Sequence, residues 1–413
     1  MVNQLQKLLR KFYLRMQPKL NVILQFINTL YLETFENQTI LCYGSLSPLL
    51  HLQLIPRSVS NKTRRVKQLA VGEDHVILLM QDGGLLGVGS NQYGQLGLPI
   101  NRQNQVIQRL RDIQFQGLDT IKSETIKTIV SGQYLSIVMT LNKDKQQRVL
   151  QFGKIPGSQN FQEANNYILQ EVIFKPNVLN KANEIEKDIQ TTKINKIYSR
   201  YDTNIAIEGN KLYLWGDNLS GTILTKPELI CQFDKQILQI SVGQKHGLVL
   251  TKGSLTRKNY LYGWGDGTYG ELGLQFQGRN LIKPELLNYF DDLSIAQIAV
   301  GGRHSLILDE QGQMYVMGDN SADQCATTDR RVYLPQKILC DEPIQEIYCG
   351  SEHNAAVNYD EEIYSWGGTV INKGWGKQKE QAIRLEQVED TKQRQISMID
   401  LSYSNTIIIA TSD

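Results

Sequence analysis

The stretch Val71–Leu98, VGEDHVILLMQDGGLLGVGSNQYGQLGL, decides the fold, because pieces of it recur to the C-terminus. It opens on Gly-x-x-His and runs through apolar residues to a Gly turn. A second run then ends in Gly-Ser-Asn-Gln-Tyr-Gly-Gln-Leu-Gly. The opening returns at Val242-Gly243-Gln244-Lys245-His246, Val300-Gly301-Gly302-Arg303-His304 and Cys349-Gly350-Ser351-Glu352-His353. His75, His246, His304 and His353 are thereby four of the chain's five histidines. Degenerate openings lie at Val130–Leu135, Ile197–Thr203 and Leu401–Thr406, where the histidine is replaced.

Each opening is followed, after a turn, by a run ending in Gly, as in Leu212-Tyr213-Leu214-Trp215-Gly216, Leu261-Tyr262-Gly263-Trp264-Gly265 and Ile363-Tyr364-Ser365-Trp366-Gly367. β-Branched and aromatic residues between Gly, Asn and Asp turns read as hairpins. A further outer strand often follows a proline, as in the stretches that begin Lys226-Pro227, Lys283-Pro284 and Leu334-Pro335. Proline lacks the ladder donor and suits an outer edge. Trp215, Trp264 and Trp366 recur in register and are expected to wedge between sheets.

Short antiparallel sheets repeating every roughly 43 to 68 residues bury their faces best when arranged radially. Six internal repeats are complete. A seventh is split, with Thr39–Ser45 supplying the half that the C-terminal copy lacks. The expected fold is all-β, a seven-bladed β-propeller over residues 36–413, closed by strands from both termini (36–50 with 399–413).

Residues 1–35 differ. Lys7, Arg10, Lys11, Arg15 and Lys19 meet no acidic residue before Glu33, and Leu5, Leu8, Leu9, Phe12 and Met16 recur at helical spacing. Pro18 interrupts the pattern, and Leu20, Ile23, Leu24, Ile27 and Leu30 suggest a second short helix. The expectation is a basic amphipathic helical extension over residues 1–35. It is either a mitochondrial transit-like segment or a helix packed against the main body or a partner.

Bulk properties exclude several classes. The 413 residues carry 44 Lys+Arg against 42 Asp+Glu, a net charge of +2, so no global charge points to nucleic acid. Five cysteines without a C-x-x-C pair fit reduced thiols rather than a disulfide framework. No run approaches the roughly 18 apolar residues of a spanning helix.

The openings, the Trp-Gly ends and the tails Asn91–Gly97 and Gly267–Gly273 resemble the regulator of chromosome condensation repeat family. The resemblance covers nearly the whole chain beyond residue 35 and implies a seven-bladed propeller. Its namesake is a guanine nucleotide exchange factor for a Ran-type GTPase on chromatin. Other members are scaffolds, ubiquitin-ligase subunits, and ciliary or mitochondrial proteins. Fold follows from such a resemblance more readily than function.

No catalytic motif stands out. Metal binding would need imidazole nitrogens about 2.0–2.1 Å from one ion, whereas equivalent positions in packed sheets lie roughly 10 Å apart. The repeated histidines are therefore read as structural. Gly265-Asp266-Gly267-Thr268-Tyr269-Gly270 matches G-x-G-x-x-G, but no helix pattern follows to hold a phosphate. The pattern breaks at 154–193 and at 372–381, where Trp375 sits among lysines. Long loops on a rigid frame are where recognition concentrates.

These observations lead to the expectation of a non-enzymatic interaction scaffold without cofactor or metal, a subunit or assembly factor of a larger complex. The acid-poor N-terminus favours the mitochondrion, with cilium, cytoplasm or nucleus as alternatives. Expected partners are other protein subunits, with a small GTPase as the alternative and no specific nucleic acid. Lys7, Arg10, Lys11, Arg15 and Trp375 are the candidate partner contacts, and the N-terminal helix adds a possible peripheral membrane contact.

Overall fold

The structure, a computed structural model, describes residues 30–35, 38–44, 65–100, 105–113, 124–156, 169–174, 193–254, 259–274, 280–340, 342–368, 383–384, 394–402 and 405–412. They form seven four-stranded antiparallel sheets. The closing sheet takes β1 (Leu30–Phe35) and β2 (Gln38–Gly44) from the N-terminal side. Blade I contains β3 (Val66–Val71), β4 (His75–Met80), β5 (Leu85–Ser90) and β6 (Val106–Asp112). Blade II contains β7 (Thr125–Ser131), β8 (Leu135–Leu141), β9 (Gln147–Gly153) and β10 (Gln170–Glu171). Blade III contains β11 (Lys196–Arg200), β12 (Thr203–Glu208), β13 (Lys211–Asp217) and β14 (Ile223–Gln232). Blade IV follows with β15 (Ile237–Val242), β16 (His246–Lys252), β17 (Asn259–Gly265) and β18 (Leu281–Leu286). Blade V has β19 (Ile295–Val300), β20 (His304–Asp309), β21 (Met314–Asp319) and β22 (Arg331–Ile338). Blade VI has β23 (Ile344–Cys349), β24 (His353–Asn358), β25 (Ile363–Gly367) and β26 (Ile383–Arg384). β27 (Arg394–Ser402) and β28 (Asn405–Ser412) complete the closing sheet in the order β1-β2-β28-β27.

The expected fold class is corrected by this arrangement. Six blades are continuous segments of chain, the remaining sheet is a composite of the two ends, and no helical extension reaches residue 35. Leu30–Phe35 is a strand paired with β2, and among the described residues the helical element is a single 3-10 turn at Asn288–Phe290. The sequence LYLETF fits a two-residue period as well as a helical one. The free edge of β2 decides the matter by offering its backbone partners. The composite sheet thus uses strands from 30–44 and 394–412, and its outer strand precedes its neighbour in sequence, the reverse of the other blades. Residues 1–29, with the basic amphipathic segment, lie outside the described residues. No helix among the described residues is long and apolar enough to cross a membrane.

Each inner strand lines an axial channel and each outer strand faces solvent. The middle two are sandwiched between neighbouring blades. β4 and β5 are therefore buried along their whole length, whereas β14 is exposed or half-buried throughout. The core lies between blades. Ile77 and Leu79 of blade I pack with Val138 and Phe152 of blade II, and Leu135 and Ile137 of blade II with Ala206 and Trp215 of blade III. Leu306 and Val316 of blade V meet Ile347 and Trp366 of blade VI. Val71 and Leu78 of blade I pack with Ile409 of the composite sheet. Polar bonds tie the same junction: Val71 N donates to Asp400 Oδ2 at 3.1 Å, and Ser402 Oγ donates to the Gly72 carbonyl. Across the channel, Arg200 of blade III donates to the Cys349 carbonyl of blade VI. Burial lifts the Asp400 carboxyl to about 6, against the opposing Arg200 charge.

The recurrent glycine that ends each third strand sits in a bulge. Gly216 has φ +88°, and a Cβ there would lie 2.0 Å from the Asp202 carbonyl oxygen. Gly209, in the preceding hairpin turn, also has positive φ (+61°) but nothing within 4 Å. Gly216→Ala is expected to cost several kcal/mol, on the order of 3 or more, while Gly209→Ala costs about 1. Urea unfolding of both variants against the parent measures the difference.

Candidate interaction face

The Gly-x-x-His openings all fall at one end of the ring, and the register of every blade places their histidine opposite the bulge glycine. His75 pairs with Gly89, His246 with Gly265, His304 with Gly318 and His353 with Gly367. All four imidazoles are buried. The motif's glycine and histidine are one unit. A Cβ on Gly72 would meet His75 Cε1 at 2.1 Å, and one on Gly350 would meet His353 Cε1 at 2.0 Å. The ring occupies the space that only glycine leaves free.

From there each Nε2 reaches the next blade. His75 meets Ser136 Oγ at 2.9 Å, His246 meets Ser305 Oγ at 2.8 Å, His304 meets Asn354 Oδ1 at 2.6 Å and His353 meets Thr406 Oγ1 at 3.0 Å. Burial, with the neighbouring His304, pushes His246 down to about 3. Burial also pushes His304 down to about 4 despite its bond to Asn354. These two stay neutral at physiological pH, and the four rings point into separate blade interfaces rather than toward one ion. At Asp74, burial alone would raise the carboxyl, but the imidazole of His75 at 3.6 Å, with Gln95 and Ser90, holds it below the ordinary value.

The acceptor always sits one place after the histidine position of the next blade. The rule is legible in the sequence only once the register of neighbouring blades is known: Ser136, Ser305, Asn354 and Thr406 are polar where the preceding blade supplies histidine. Val76 and Gly247 stand where it does not. Asn204 is the exception. Leu135 replaces the histidine before it, and the buried Asn204 Nδ2 has no partner.

Two of the three recurrent tryptophans bond across blade interfaces. Trp215 Nε1 donates to Gln151 Oε1 of blade II at 2.9 Å, and Trp366 Nε1 to the Gln324 carbonyl of blade V at 3.0 Å. Trp264 covers Gly247, and its Nε1 is buried without a partner. Lys7, Arg10, Lys11, Arg15 and Trp375 lie outside the described residues, as does the 372–381 segment. Of the 154–193 segment, Gln170–Glu171 forms the outer strand of blade II, and Phe174 packs edge-on against Trp215 at 5.9 Å.

Among the described residues, opening loops of neighbouring blades are joined at four junctions. Glu73 N donates to the Gln133 carbonyl, Gln133 N to that of Tyr201, Gln244 N to that of Gly302, and Gly302 N to that of Ser351. The residue before each histidine position projects from this rigid rim. Asp74, Asp202 and Glu352 make it acidic in blades I, III and VI, while Lys245 and Arg303 make blades IV and V basic. Lys245 is paired with Asp217 at 2.9 Å. Gly265–Gly270 forms the tail loop of blade IV and leads into no helix. In that loop Glu271 is fully buried, with Oε2 accepting from Tyr269 N and Oε1 without a partner.

The sequence family described as "Regulator of chromosome condensation (RCC1) repeat" matches residues 258–308, and a second RCC1 repeat family matches 66–95 and 295–324. The chain is an RCC1-type β-propeller. The fold agrees with that of Prp20p from Saccharomyces cerevisiae, whose structure report concerns binding to Gsp1p and histones. The TM-score is 0.71 at 18% identity, covering 93% of each chain. Human WBSCR16 gives a TM-score of 0.65 at 16% identity over 85% of this chain and 87% of that one. Among curated relatives, the ultraviolet-B receptor UVR8 of Arabidopsis thaliana is 30% identical over 181 residues, 43% of this chain and 40% of the receptor. The human probable E3 ubiquitin-protein ligase HERC4 is 32% identical over 137 residues, 32% of this chain and 12% of the ligase. The matches thus span well under two thirds of these relatives.

Two outcomes follow for the RCC1-type rim. Leu135→His should couple favourably to Asn204 by about 1 kcal/mol. A double-mutant cycle with Asn204→Ala, read by denaturant unfolding, measures that coupling. At Glu271, burial first, then Asp266, raises the carboxyl to about 7 from an ordinary 4.5. The folded state accommodates the neutral acid, so its stability is fully present below 4.5 and is lost as pH rises through 7. Gln95 and Gln324 stand at the equivalent tail positions. Glu271→Gln should therefore leave stability at pH 4 nearly unchanged and raise it at pH 8 by up to about 3 kcal/mol, measured as unfolding free energy against pH.

Proposed function

We propose that this RCC1-type propeller is a non-enzymatic interaction scaffold, a subunit or assembly factor of a larger protein complex, acting in the mitochondrion. The observation that carries the reading is the rim. Its histidines are spent on joining blades, and its variable positions present charge divided into sectors on a stiff frame. Such a surface orients a protein partner. The basic, acid-poor sequence before residue 33 supports the mitochondrial placement and supplies Lys7, Arg10, Lys11 and Arg15 as further contacts, with peripheral membrane attachment as an added role. The expected result for the endogenously tagged protein is a mitochondrial location and co-migration with stable partners on native gels. A lone monomer in native extracts, or residence elsewhere, counts against it.

The second reading is guanine nucleotide exchange on a small GTPase, favoured by likeness to Prp20p over nearly the whole chain. Exchange would accelerate release of labelled GDP. The scaffold reading expects no acceleration across a GTPase panel; acceleration of one member would replace it.

A further inference from the structure

The basic sector of the rim contains an arrangement that the repeat architecture alone does not explain. Tyr269, in the tail of blade IV, is flanked by two guanidinium groups of blade V. Arg303 Cζ lies 4.7 Å from the ring centroid and Arg331 Cζ 4.5 Å. Arg303 Nη1 also donates to Tyr269 Oη at 3.2 Å, and Arg331 Nη1 to Tyr333 Oη at 3.4 Å. The ring is a fixed pedestal. Gly270 has φ +94°, and a Cβ there would lie 2.5 Å from the Val332 carbonyl, so the tail packs directly on the start of β22.

Both arginines are exposed, and neither takes part in an ion pair among the described residues. The acids nearest in effect are sequestered. Asp319 is buried and accepts from Ser321 Oγ, and Glu271 is buried beneath Tyr269 N. Stacking on a ring uses the flat face of a guanidinium and leaves most of its coplanar donors free. Two like charges held beside one ring without a counter-charge form half of an ion-pair site. At the corresponding junction of blades I and II, Tyr93 instead meets Tyr134, at 5.2 Å, beside Glu73 and Asp74, and the cation over the two rings is a lysine, Lys154, at 5.9 and 5.4 Å. The pair of arginines is thus specific to blades IV and V.

We infer that Tyr269, Arg303 and Arg331 form a docking site for the carboxylates of an acidic peptide segment on a protein partner. Planar carboxylates match guanidinium forks two bonds at a time. The site is open and lies at the edge of a rim that carries acidic groups at Asp74, Asp202 and Glu352. A short acidic segment can settle on the basic sector, whereas a continuous polyanion such as a nucleic acid strand would be repelled across the rest of the face. The inference deepens the scaffold reading and rests on it for its biological meaning. Peptide binding by the purified chain is nonetheless measured independently of co-purification, so the two can fail separately.

The test is fluorescence anisotropy of the full chain with a labelled octaglutamate peptide, a labelled octalysine peptide and a labelled single-stranded thymidine octanucleotide. Octaglutamate should bind, more weakly as salt rises, and octalysine should not. Arg303→Ala and Arg331→Ala should each weaken octaglutamate binding about 5-fold or more at low salt. Lys252→Ala, an exposed control at the far end of β16, should leave it unchanged. Tyr269→Leu, which removes the pedestal but no charge, should also weaken it. Absence of octaglutamate binding, equal loss in the Lys252 variant, or tighter binding of the oligonucleotide than of the peptide overturns the site.

Discussion

The contact on which the ring depends is the imidazole that lies where a glycine has no side chain. Gly72 and His75 are the clearest case. The glycine vacates a volume, the imidazole fills it, and the far nitrogen is thereby aimed at the hydroxyl of Ser136 in the next blade. One motif closes the loop at a blade's end and also sets its angle to its neighbour. Because the ring nitrogen is buried, the bond exchanges little with water and the imidazole stays neutral where burial dominates, as at His246 and His304. The apolar cores follow the same logic, since each straddles at least two blades and none belongs to a blade alone.

Uneven repeats then become informative. Leu135 and Thr203 occupy histidine positions, and the blades that follow respond with an unpartnered Nδ2 on Asn204 and with Gly247 under Trp264. These adjustments leave the backbone of the rim intact, because the loops are also joined carbonyl to amide. The side chains just before the histidine positions take no part in that backbone joining. They carry the charge differences between sectors, and for this reason recognition is assigned to the rim and the architecture to the residues beneath it.

Much of this was legible in the chain. Hairpins, bulge glycines, outer-strand prolines and the meeting of the two ends follow from local periodicity and turn chemistry, which act over a few residues. The Gly-x-x-His unit was visible as a pattern, and its structural reading rested on the argument that equivalent positions in separate sheets cannot converge. Other parts were not legible. Leu30–Phe35 was read as helix because a short apolar run satisfies both periods, and only the unpaired edge of β2 distinguishes them. The outer strand of blade II was hidden in a segment without repeat signature.

By itself the sequence determined that short antiparallel sheets repeat, where each turns, and which glycines and histidines belong together, because those choices are made by sterics and hydrogen bonding within a few residues. Only the tertiary structure decided which residues face one another between blades. It seats Arg200 against the Cys349 carbonyl across the channel and Asp400 on Val71 at the closure, and it places Arg303 and Arg331 on the ring of Tyr269. Those pairings depend on the closing of the ring, which brings distant segments together at distances that no local pattern encodes.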